Sequence, residues 1–306
     1  MNTHMHMHTL SQEAQAIVAA HPELALPVEG QPAPNYTRDD AVYHHAKQAC
    51  LALGFIEIDA ECLAQAWQAM AQRTGRFDPN DWPDEPADFG MLPMPRANAF
   101  AACPKALGLY AVLPTAEWVG RMARAGVPTV QLRFKSDDAG AIAREVHAAV
   151  EAVRGTSSLL FINDHWQAAV AAGAYGVHLG QEDMAVADFD AIRAAGLRLG
   201  LSSHGYAEML RADRLSPSYI AMGAVYPTTL KRMPTAPQGT GRLQAYARLM
   251  RNHSLVAIGG IDGDRLPEVM RSGVGSVAVV RAITAAEQPE QAAAQLQAAL
   301  HAQHPL

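Results

Sequence analysis

Cationic and amide side chains alternate along one short apolar segment of the sequence. Gln131, Arg133 and Lys135 are each separated by one residue, so they point to the same side of a β-strand. Two cations and an amide on one side suit the oxygens of a phosphate group, which arginine can bind through two parallel hydrogen bonds. The alternative, an edge facing solvent, is disfavoured because cations within an apolar strand are costly without an anionic partner.

Acidic residues stand at the ends of the next two apolar segments. Asn163 and Asp164 end the first segment, and Asp183 follows the second one after His178. Two carboxylates on neighbouring strand ends can share Mg²⁺, which binds one or two protein carboxylates together with phosphate oxygens and water. Each aspartate taken singly is equally consistent with a helix N-cap. With the nearby cations, the pair favours a magnesium site that binds a diphosphate.

A long loop is predicted over residues 224–242, which include three Pro, two Gly and four Thr. Loops of this length in a compact domain are commonly lids or binding loops. Thr228 and Thr229 supply hydroxyl donors there, and Lys231 adds a positive charge. A mobile surface loop without a binding role is the alternative.

Three further apolar segments end in residues that can contribute to a binding site. Ser202 ends one of them, where its hydroxyl can bind a ligand oxygen or cap a helix. Gly260 ends another, and a glycine lets backbone N–H groups approach phosphate oxygens. Val280 and Arg281 end the last segment. Loops after the last two strands of an α/β barrel form a common phosphate site.

These residues are attached to eight short apolar segments that alternate with Ala-rich helical patterns. Regular alternation predicts a parallel sheet, and eight units predict a closed (β/α)8 TIM barrel. A doubly wound open sheet is the alternative. Because such barrels carry their active sites at the C-terminal ends of the strands, closure would bring the polar residues to one mouth. The predicted strands are 108–113, 128–134, 158–164, 175–180, 197–203, 218–223, 255–260 and 276–281.

The composition restricts the class of protein. Of the 306 residues, 49% are hydrophobic and 18% are charged, which excludes disorder over most of the length. No apolar run approaches the ~18 residues of a membrane helix, and the N-terminal residues lack the pattern of a secretory signal. The three cysteines do not form a disulfide framework, so we expect a cytoplasmic protein. A net charge of −6 without a basic cluster argues against nucleic-acid binding.

Residues 1–104 differ in charge from the rest of the chain. They carry 5 Lys/Arg and 13 Asp/Glu, a net charge of −8, whereas residues 105–306 carry 19 and 17, a net charge of +2. We predict an acidic, mainly helical N-terminal extension of unknown role before a catalytic barrel domain at 105–306. Within the extension we expect a mobile tail over 1–35, helices within 38–74 and a Pro-rich linker over 76–104.

From about residue 107 to residue 300, the chain resembles the thiamine phosphate synthase family. The resemblance rests on long motifs that occur in the family's order. They are VQLRFK (130–135), FINDHW (161–166), AYGVHLGQED (174–183), LGLSSH (199–204), YPTTLKRMPTAPQG (226–239), AIGGI (257–261) and VAVVRAI (277–283). The family fold is an α/β barrel, in agreement with the count of strand–helix units.

The resemblance implies a magnesium-dependent transferase with two small-molecule substrates. It would join hydroxymethylpyrimidine diphosphate to a thiazole phosphate, giving thiamine phosphate and pyrophosphate. The implied pyrimidine diphosphate residues are Gln131, Leu132, Arg133, Phe134, Lys135, Asn163, Ser202 and Lys231. The implied thiazole phosphate residues are Thr228, Thr229, Leu230, Gly260, Val280 and Arg281. The implied magnesium ligands are Asp164 and Asp183, and the expected catalytic residues are Arg133, Lys135, Ser202 and Lys231.

Two positions depart from the family pattern. Leu230 stands where the family has a threonine, and Arg281 stands where it has a serine. Both positions belong to the implied thiazole phosphate site, so we hypothesise an altered handling of that substrate. The alternative functions are a thiazole tautomerase, which would not need the magnesium site, and a non-catalytic sensor that binds ligand without turnover. A homo-oligomer is compatible with the sequence.

Overall fold

Two compact units make up the structure, a computed structural model of the chain. The residues that the structure describes are 10–28, 33–229 and 235–303. The first unit comprises Met1–Pro93 and Gly205–Leu210. The second unit comprises Met94–His204 and Arg211–Leu306.

Three α-helices and two 3₁₀ turns form the regular part of the first unit. They are α1 (Gln12–Ala20), α2 (Ala41–Ala52), α3 (Glu57–Thr74), and the 3₁₀ turns Pro22–Leu24 and Pro86–Phe89. Ser11 and Asp40 cap α1 and α2 by accepting backbone N–H bonds three residues on, as expected for these side chains. Gly75 ends α3 in the left-handed conformation at φ 72°.

Helix α1 lies within the segment that was predicted as a mobile tail. Ala14 and Ile17 lie on one face of this helix and are fully buried, in the same core as Tyr43 and Trp67. The tail prediction is therefore wrong for this part of the segment. Two apolar residues three apart were too weak a periodic signal, and the helix depends on a tertiary partner to bury them.

The second unit is a closed barrel of eight parallel strands in sequence order, which confirms the predicted fold. The strands are β1 (Gly108–Leu113), β2 (Thr129–Leu132), β3 (Leu159–Asn163), β4 (Gly176–Leu179), β5 (Arg198–Ser203), β6 (Tyr219–Met222), β7 (Leu255–Ile258) and β8 (Ser276–Val279). Strand β8 pairs with β1 and closes the sheet, so no sheet edge is exposed. The barrel interior is filled by aromatic and aliphatic side chains, among them Tyr110, Phe161 and Tyr219.

Nine further helices connect these strands or follow the last of them in the described residues. They are α4 (Ala116–Arg124), α5 (Ala139–Val153), α6 (Trp166–Ala172), α7 (Phe189–Ala194), α8 (Tyr206–Arg214), α9 (Gly239–Leu249), α10 (Leu266–Met270), α11 (Arg281–Thr284) and α12 (Pro289–Gln303). Helix α9 begins inside the predicted loop 224–242. The last residues of the predicted loop are therefore helical, and the helix is held by buried side chains farther along it, such as Leu243 and Tyr246.

The second half of the predicted linker is bound to the barrel at the end opposite the mouth. Phe100 N–H donates to the Ser216 carbonyl (3.0 Å), and Ser218 Oγ donates to the Ala101 carbonyl (2.6 Å). Arg96 forms a bidentate ion pair with buried Asp213, at 2.9 Å for both oxygens. These residues precede or flank β6, so this part of the linker is an ordered part of the barrel unit.

Membrane insertion of a helix finds no support in the part of the chain that the structure describes. None of its helices has both the length and the apolar composition needed to cross a membrane.

Candidate active site

An ion pair links the ends of β2 and β3 at the mouth of the barrel. Strand β2 ends at Leu132, earlier than predicted, and Arg133 N–H continues the pairing with β1 by donating to the Leu113 carbonyl (2.8 Å). Lys135 lies beyond the strand, and its Nζ donates to Asp164 Oδ2 at 2.6 Å. The chain turn after β2 brings Lys135 to the carboxylate, and the phosphate contacts expected of Arg133 and Lys135 stay predictions.

Asp164 is held in the left-handed conformation, at φ 65°. A residue other than glycine pays a conformational cost of about 1–2 kcal/mol there, so its surroundings must enforce the geometry. Its N–H donates to the His178 carbonyl on β4 (2.9 Å). This bond directs the carboxylate toward the end of β4, where Asp183 lies.

The carboxyl groups of Asp164 and Asp183 lie close enough for each to influence the pKa of the other. Burial acts to raise the pKa of Asp164, but the hydrogen bond and charge of Lys135 hold it below the ordinary value. Burial and the charge of Asp164 raise the pKa of Asp183. The two carboxyl groups therefore differ, because Lys135 favours the ionised form of Asp164 while burial and the charge of Asp164 disfavour that form for Asp183.

Neither aspartate caps a helix. Helix α6 begins after His165 without a side-chain cap bond, and α7 is capped by Asp188, which accepts from Ala191 N–H at 2.9 Å. Asp183 Oδ2 instead accepts from Gly180 N–H at 3.0 Å, within its own loop. The capping alternative therefore fails for both residues.

Ser202, at the end of β5, forms hydrogen bonds with residues on and just after the neighbouring strand β4. Its Oγ lies 2.7 Å from His178 Nε2, and its carbonyl accepts from Gln181 Nε2 at 2.6 Å. The adjacent Ser203 points away and donates to the Ala221 carbonyl at 2.8 Å. Ser202 is thus the serine of this pair that lies beside β4 and its polar residues.

The other predicted residues of this side lie on or beside β2 and β3. Gln131 and Leu132 are buried on β2, and Asn163 is buried at the end of β3. The Phe134 carbonyl lies 2.8 Å from His165 Nε2, which ties the chain after β2 to the start of α6. The predicted residues from β2 to β5 therefore lie on or directly after neighbouring strands, and their contacts with substrate stay predictions.

The predicted residues of β6 to β8 are arranged mainly through the backbone. Gly260 adopts φ 63°, and a Cβ there would lie 2.6 Å from the Pro227 carbonyl oxygen. The loop that carries Thr228 and Thr229 therefore packs directly on the glycine, and only glycine fits both constraints. Val280 lies between β8 and α11, and exposed Arg281 begins α11.

Leu230 and Lys231 lie outside the described residues. Their expected contacts with substrate, including the catalytic role of Lys231, stay predictions.

Two buried tyrosines beneath the mouth were not foreseen from the sequence. Tyr110 on β1 and Tyr219 on β6 share a hydrogen bond of 2.7 Å inside the barrel. Each occupies an inward-facing strand position, two residues before Val112 and Ala221 respectively. A tyrosine at an inward-facing strand position can be recognised from the sequence. Its hydrogen-bond partner cannot, because that partner depends on the strand register.

A family model described as thiamine monophosphate synthase matches residues 109–283, which is the strand and helix region of the barrel. This chain belongs to the thiamine monophosphate synthase family. The resemblance inferred from the motifs is thereby confirmed. The match leaves the first unit's helices outside the family region.

Named relatives of the family align with the same region. A thiamine-phosphate synthase of Neisseria meningitidis serogroup B is 55% identical over 184 residues, covering 60% of this chain and 90% of the relative. A thiamine-phosphate synthase of Photorhabdus laumondii is 48% identical over 197 residues, covering 64% of this chain and 91% of the relative. A solved structure of thiamine phosphate pyrophosphorylase from Pyrococcus furiosus superposes with a TM-score of 0.56 at 26% identity. That superposition covers 65% of this chain and 97% of the other.

Proposed function

We propose that this family member is a transferase that makes thiamine phosphate from a hydroxymethylpyrimidine diphosphate and a thiazole phosphate. The observation that carries the proposal is the cluster of Lys135, Asp164 and Asp183 at the mouth of a barrel of this family. A cation beside two neighbouring carboxyl groups is an arrangement that suits a diphosphate and a divalent cation.

The proposed reaction breaks one bond and forms one bond. The carbon–oxygen bond between the pyrimidine methylene and the diphosphate breaks, and pyrophosphate leaves with the electron pair. The thiazole nitrogen then donates its lone pair to the methylene carbon, which the aminopyrimidine ring has stabilised as a cation. No protein nucleophile is required, so the protein's task is to stabilise the charge of the leaving group and align the reactants.

Cationic side chains around β2 and β6 neutralise the leaving group in this proposal. Lys135 is placed for that role by its bond to Asp164, and half-buried Arg133 lies two residues before it. Ser202 and Asn163 bind the same substrate from β5 and β3, together with Gln131. Lys231 is assigned to the leaving group by the family pattern.

The two aspartates fit Mg²⁺ by their chemistry. The proximity of the two carboxyl groups and the raised pKa of Asp183 support a pair that a divalent cation would stabilise. Across the described residues, no group of three or more His, Cys, Asp and Glu is placed to hold a metal. Mg²⁺ takes only one or two protein carboxylates, so the pair suffices as its protein ligands. When bound, the ion would supply charge neutralisation for the diphosphate oxygens.

The other half of the mouth would bind the thiazole phosphate. Gly260 and the loop packed on it present backbone groups, and Val280 and Arg281 flank them after β8. The assigned residues are Thr228, Thr229, Leu230, Gly260, Val280 and Arg281. The altered handling of this substrate by Leu230 and Arg281 is part of the proposal.

Incubation of the purified protein with both substrates and Mg²⁺ tests the proposal. Product is measured by oxidation of thiamine phosphate to fluorescent thiochrome. We expect product from the natural chain and a loss of about 10²–10³-fold in Asp164→Ala, because the leaving group loses its charge stabilisation. Asp188→Ala, which removes an exposed helix-capping carboxylate that is not among the predicted site residues, is the matched control and should keep the activity.

Two other outcomes would point to the alternatives. Binding of the pyrimidine diphosphate without product would contradict the proposal and indicate a sensor. Isomerisation of a thiazole phosphate without any need for the diphosphate would indicate a tautomerase. The cytoplasmic location, a homo-oligomeric state and the separate role of residues 1–104 stay predictions.

A further inference from the structure

A chain of four hydrogen bonds crosses the inside of the barrel beneath the mouth. Gln131 Nε2 donates to the Tyr110 hydroxyl (2.8 Å), which bonds to the Tyr219 hydroxyl (2.7 Å). The Tyr219 hydroxyl bonds to His178 Nδ1 (2.7 Å), and His178 Nε2 bonds to Ser202 Oγ (2.7 Å). The chain starts on β2, passes through β1, β6 and β4, and ends at the mouth on β5.

The donor at the start permits one consistent direction of donation along the whole chain. The Gln131 amide nitrogen can only donate, so the single proton of Tyr110 is available for Tyr219, and the proton of Tyr219 is available for His178. When Tyr219 donates, His178 Nδ1 accepts, and the ring proton is then on Nε2, where it donates to Ser202 Oγ. The proton of the Ser202 hydroxyl is left for a further acceptor.

The two phenols are suited to this role because both stay protonated. Burial raises the pKa of Tyr110 and raises the pKa of Tyr219 further above its ordinary value. Each hydroxyl therefore keeps a proton to donate at any physiological pH.

The backbone makes room for the chain at one glycine. Gly200 pairs with Tyr219 in the β5–β6 register, and a Cβ on Gly200 would lie 2.1 Å from Cζ of the tyrosine ring. Any side chain at position 200 would block the ring. Glycine there lets Tyr219 pass over β5 and reach His178 on β4. A second contact holds the serine backbone, since Gln181 donates to the Ser202 carbonyl and accepts from Arg211 (3.1 Å).

We infer that Tyr219 and His178 are positioning residues that set the Ser202 hydroxyl as a hydrogen-bond donor toward the bound pyrimidine diphosphate. The inference rests on the proposed function for the identity of that substrate. It adds that the substrate atom opposite Ser202 is an acceptor, an anionic oxygen or a ring nitrogen with a free lone pair. An analogue that presents a donor at that atom would leave two donors facing each other and bind poorly.

The tautomer of His178 tests the direction of the chain without turnover. In two-bond ¹H–¹⁵N spectra of the ¹⁵N-histidine-labelled full chain, we expect His178 to carry its proton on Nε2. The signal is assigned by its loss in His178→Gln. In Tyr219→Phe the Nδ1 partner is gone, so a substantial population with the proton on Nδ1 should appear. A wild-type ring protonated on Nδ1 would overturn the inference.

Kinetics tests the consequence for the substrate. Tyr219→Phe should raise the KM for the pyrimidine diphosphate about 5–10-fold and leave the KM for the thiazole phosphate unchanged, because one hydrogen bond to a charged group is weakened. Tyr246→Phe is the matched control. It removes another buried hydroxyl, bonded to Gln238 Oε1 at 2.7 Å, and should change neither constant.

A double-mutant cycle separates positioning from structural damage. If Tyr219 acts through Ser202, then Tyr219→Phe added to Ser202→Ala should cost nothing further in KM. Additive losses would show that Tyr219 acts independently and would overturn the inference. If the proposed function fails, the natural chain gives no product. The tautomer of His178 in the natural chain still tests the inference in that case. It also tests the inference if Tyr219→Phe does not fold.

Discussion

The two halves of the barrel mouth are built in different ways. From β2 to β5, side chains contact one another across strands, as in the Lys135–Asp164 ion pair and the bond from His178 to Ser202. From β6 to β8, the described structure relies on backbone approach, with Gly260 in a left-handed conformation against the Pro227 carbonyl. One half is a network of charged and polar side chains, and the other is a shaped backbone surface.

This difference predicts which substitutions each half of the mouth tolerates. A side-chain network loses a charge when one member is replaced, but its backbone stays in place. A backbone surface depends on a few conformations that only glycine adopts without strain, so a single methyl group alters its shape. The departures from the family pattern, at Leu230 and Arg281, lie in the second half. Changes in the two halves should therefore affect different substrates.

The largest expected effect is the loss of a carboxylate from the side-chain half. Asp183→Asn should weaken Mg²⁺ binding by at least about 100-fold, since even partners of metal ligands contribute 10–100-fold to affinity. Titration of activity with Mg²⁺ and calorimetry of Mg²⁺ binding measure the change. Asp190→Asn is the control, because that carboxylate is 97% exposed and pairs only with a residue of its own helix. Equal Mg²⁺ affinity in Asp183→Asn and the natural chain would remove the distinction between the halves.

A methyl group in the backbone half should have the next largest effect. Gly260→Ala forces a left-handed alanine against a backbone oxygen, so the loop at Pro227 must shift. We expect the thiazole phosphate KM to rise about 10-fold and the free energy of unfolding to fall by about 1–3 kcal/mol. Gly263→Ala, where a Cβ meets nothing within 4 Å, should leave both unchanged. A rise in the pyrimidine diphosphate KM instead would contradict the assignment of this half.

The smallest effect is expected at Arg281. If its guanidinium binds the thiazole phosphate, Arg281→Ser should raise that KM only about 3-fold, because an exposed charge is screened by water and salt. Steady-state kinetics with the thiazole phosphate varied measures it, with Arg154→Ser as the control, because that side chain lies directly after α5 and is 73% exposed. A lower KM would mean that the side chain obstructs the pocket, and an unchanged KM would end the hypothesis of altered handling.

Much of the side-chain half could be predicted from the sequence. Asp164 and Lys135 were identified because charged residues at the ends of apolar segments need a partner. The motifs around them also carry the family resemblance. Their direct bond was not predictable, since it joins residues 29 positions apart and depends on the turn after β2. Tyr219 was missed because a tyrosine within an apolar strand reads as core packing, and its partner His178 lies on a strand that is not its sheet neighbour.

The sequence by itself determined the eight strand–helix units and the chemical types at the strand ends. These follow from local patterns, because strands buried on both faces form short apolar runs, whereas each surrounding helix buries one face and exposes the other. Only the tertiary structure decided which polar groups meet, that Gly200 admits the ring of Tyr219, and that the chain near Phe100 binds the barrel. The physical reason is that barrel closure sets the strand register collectively, and no single segment contains that information.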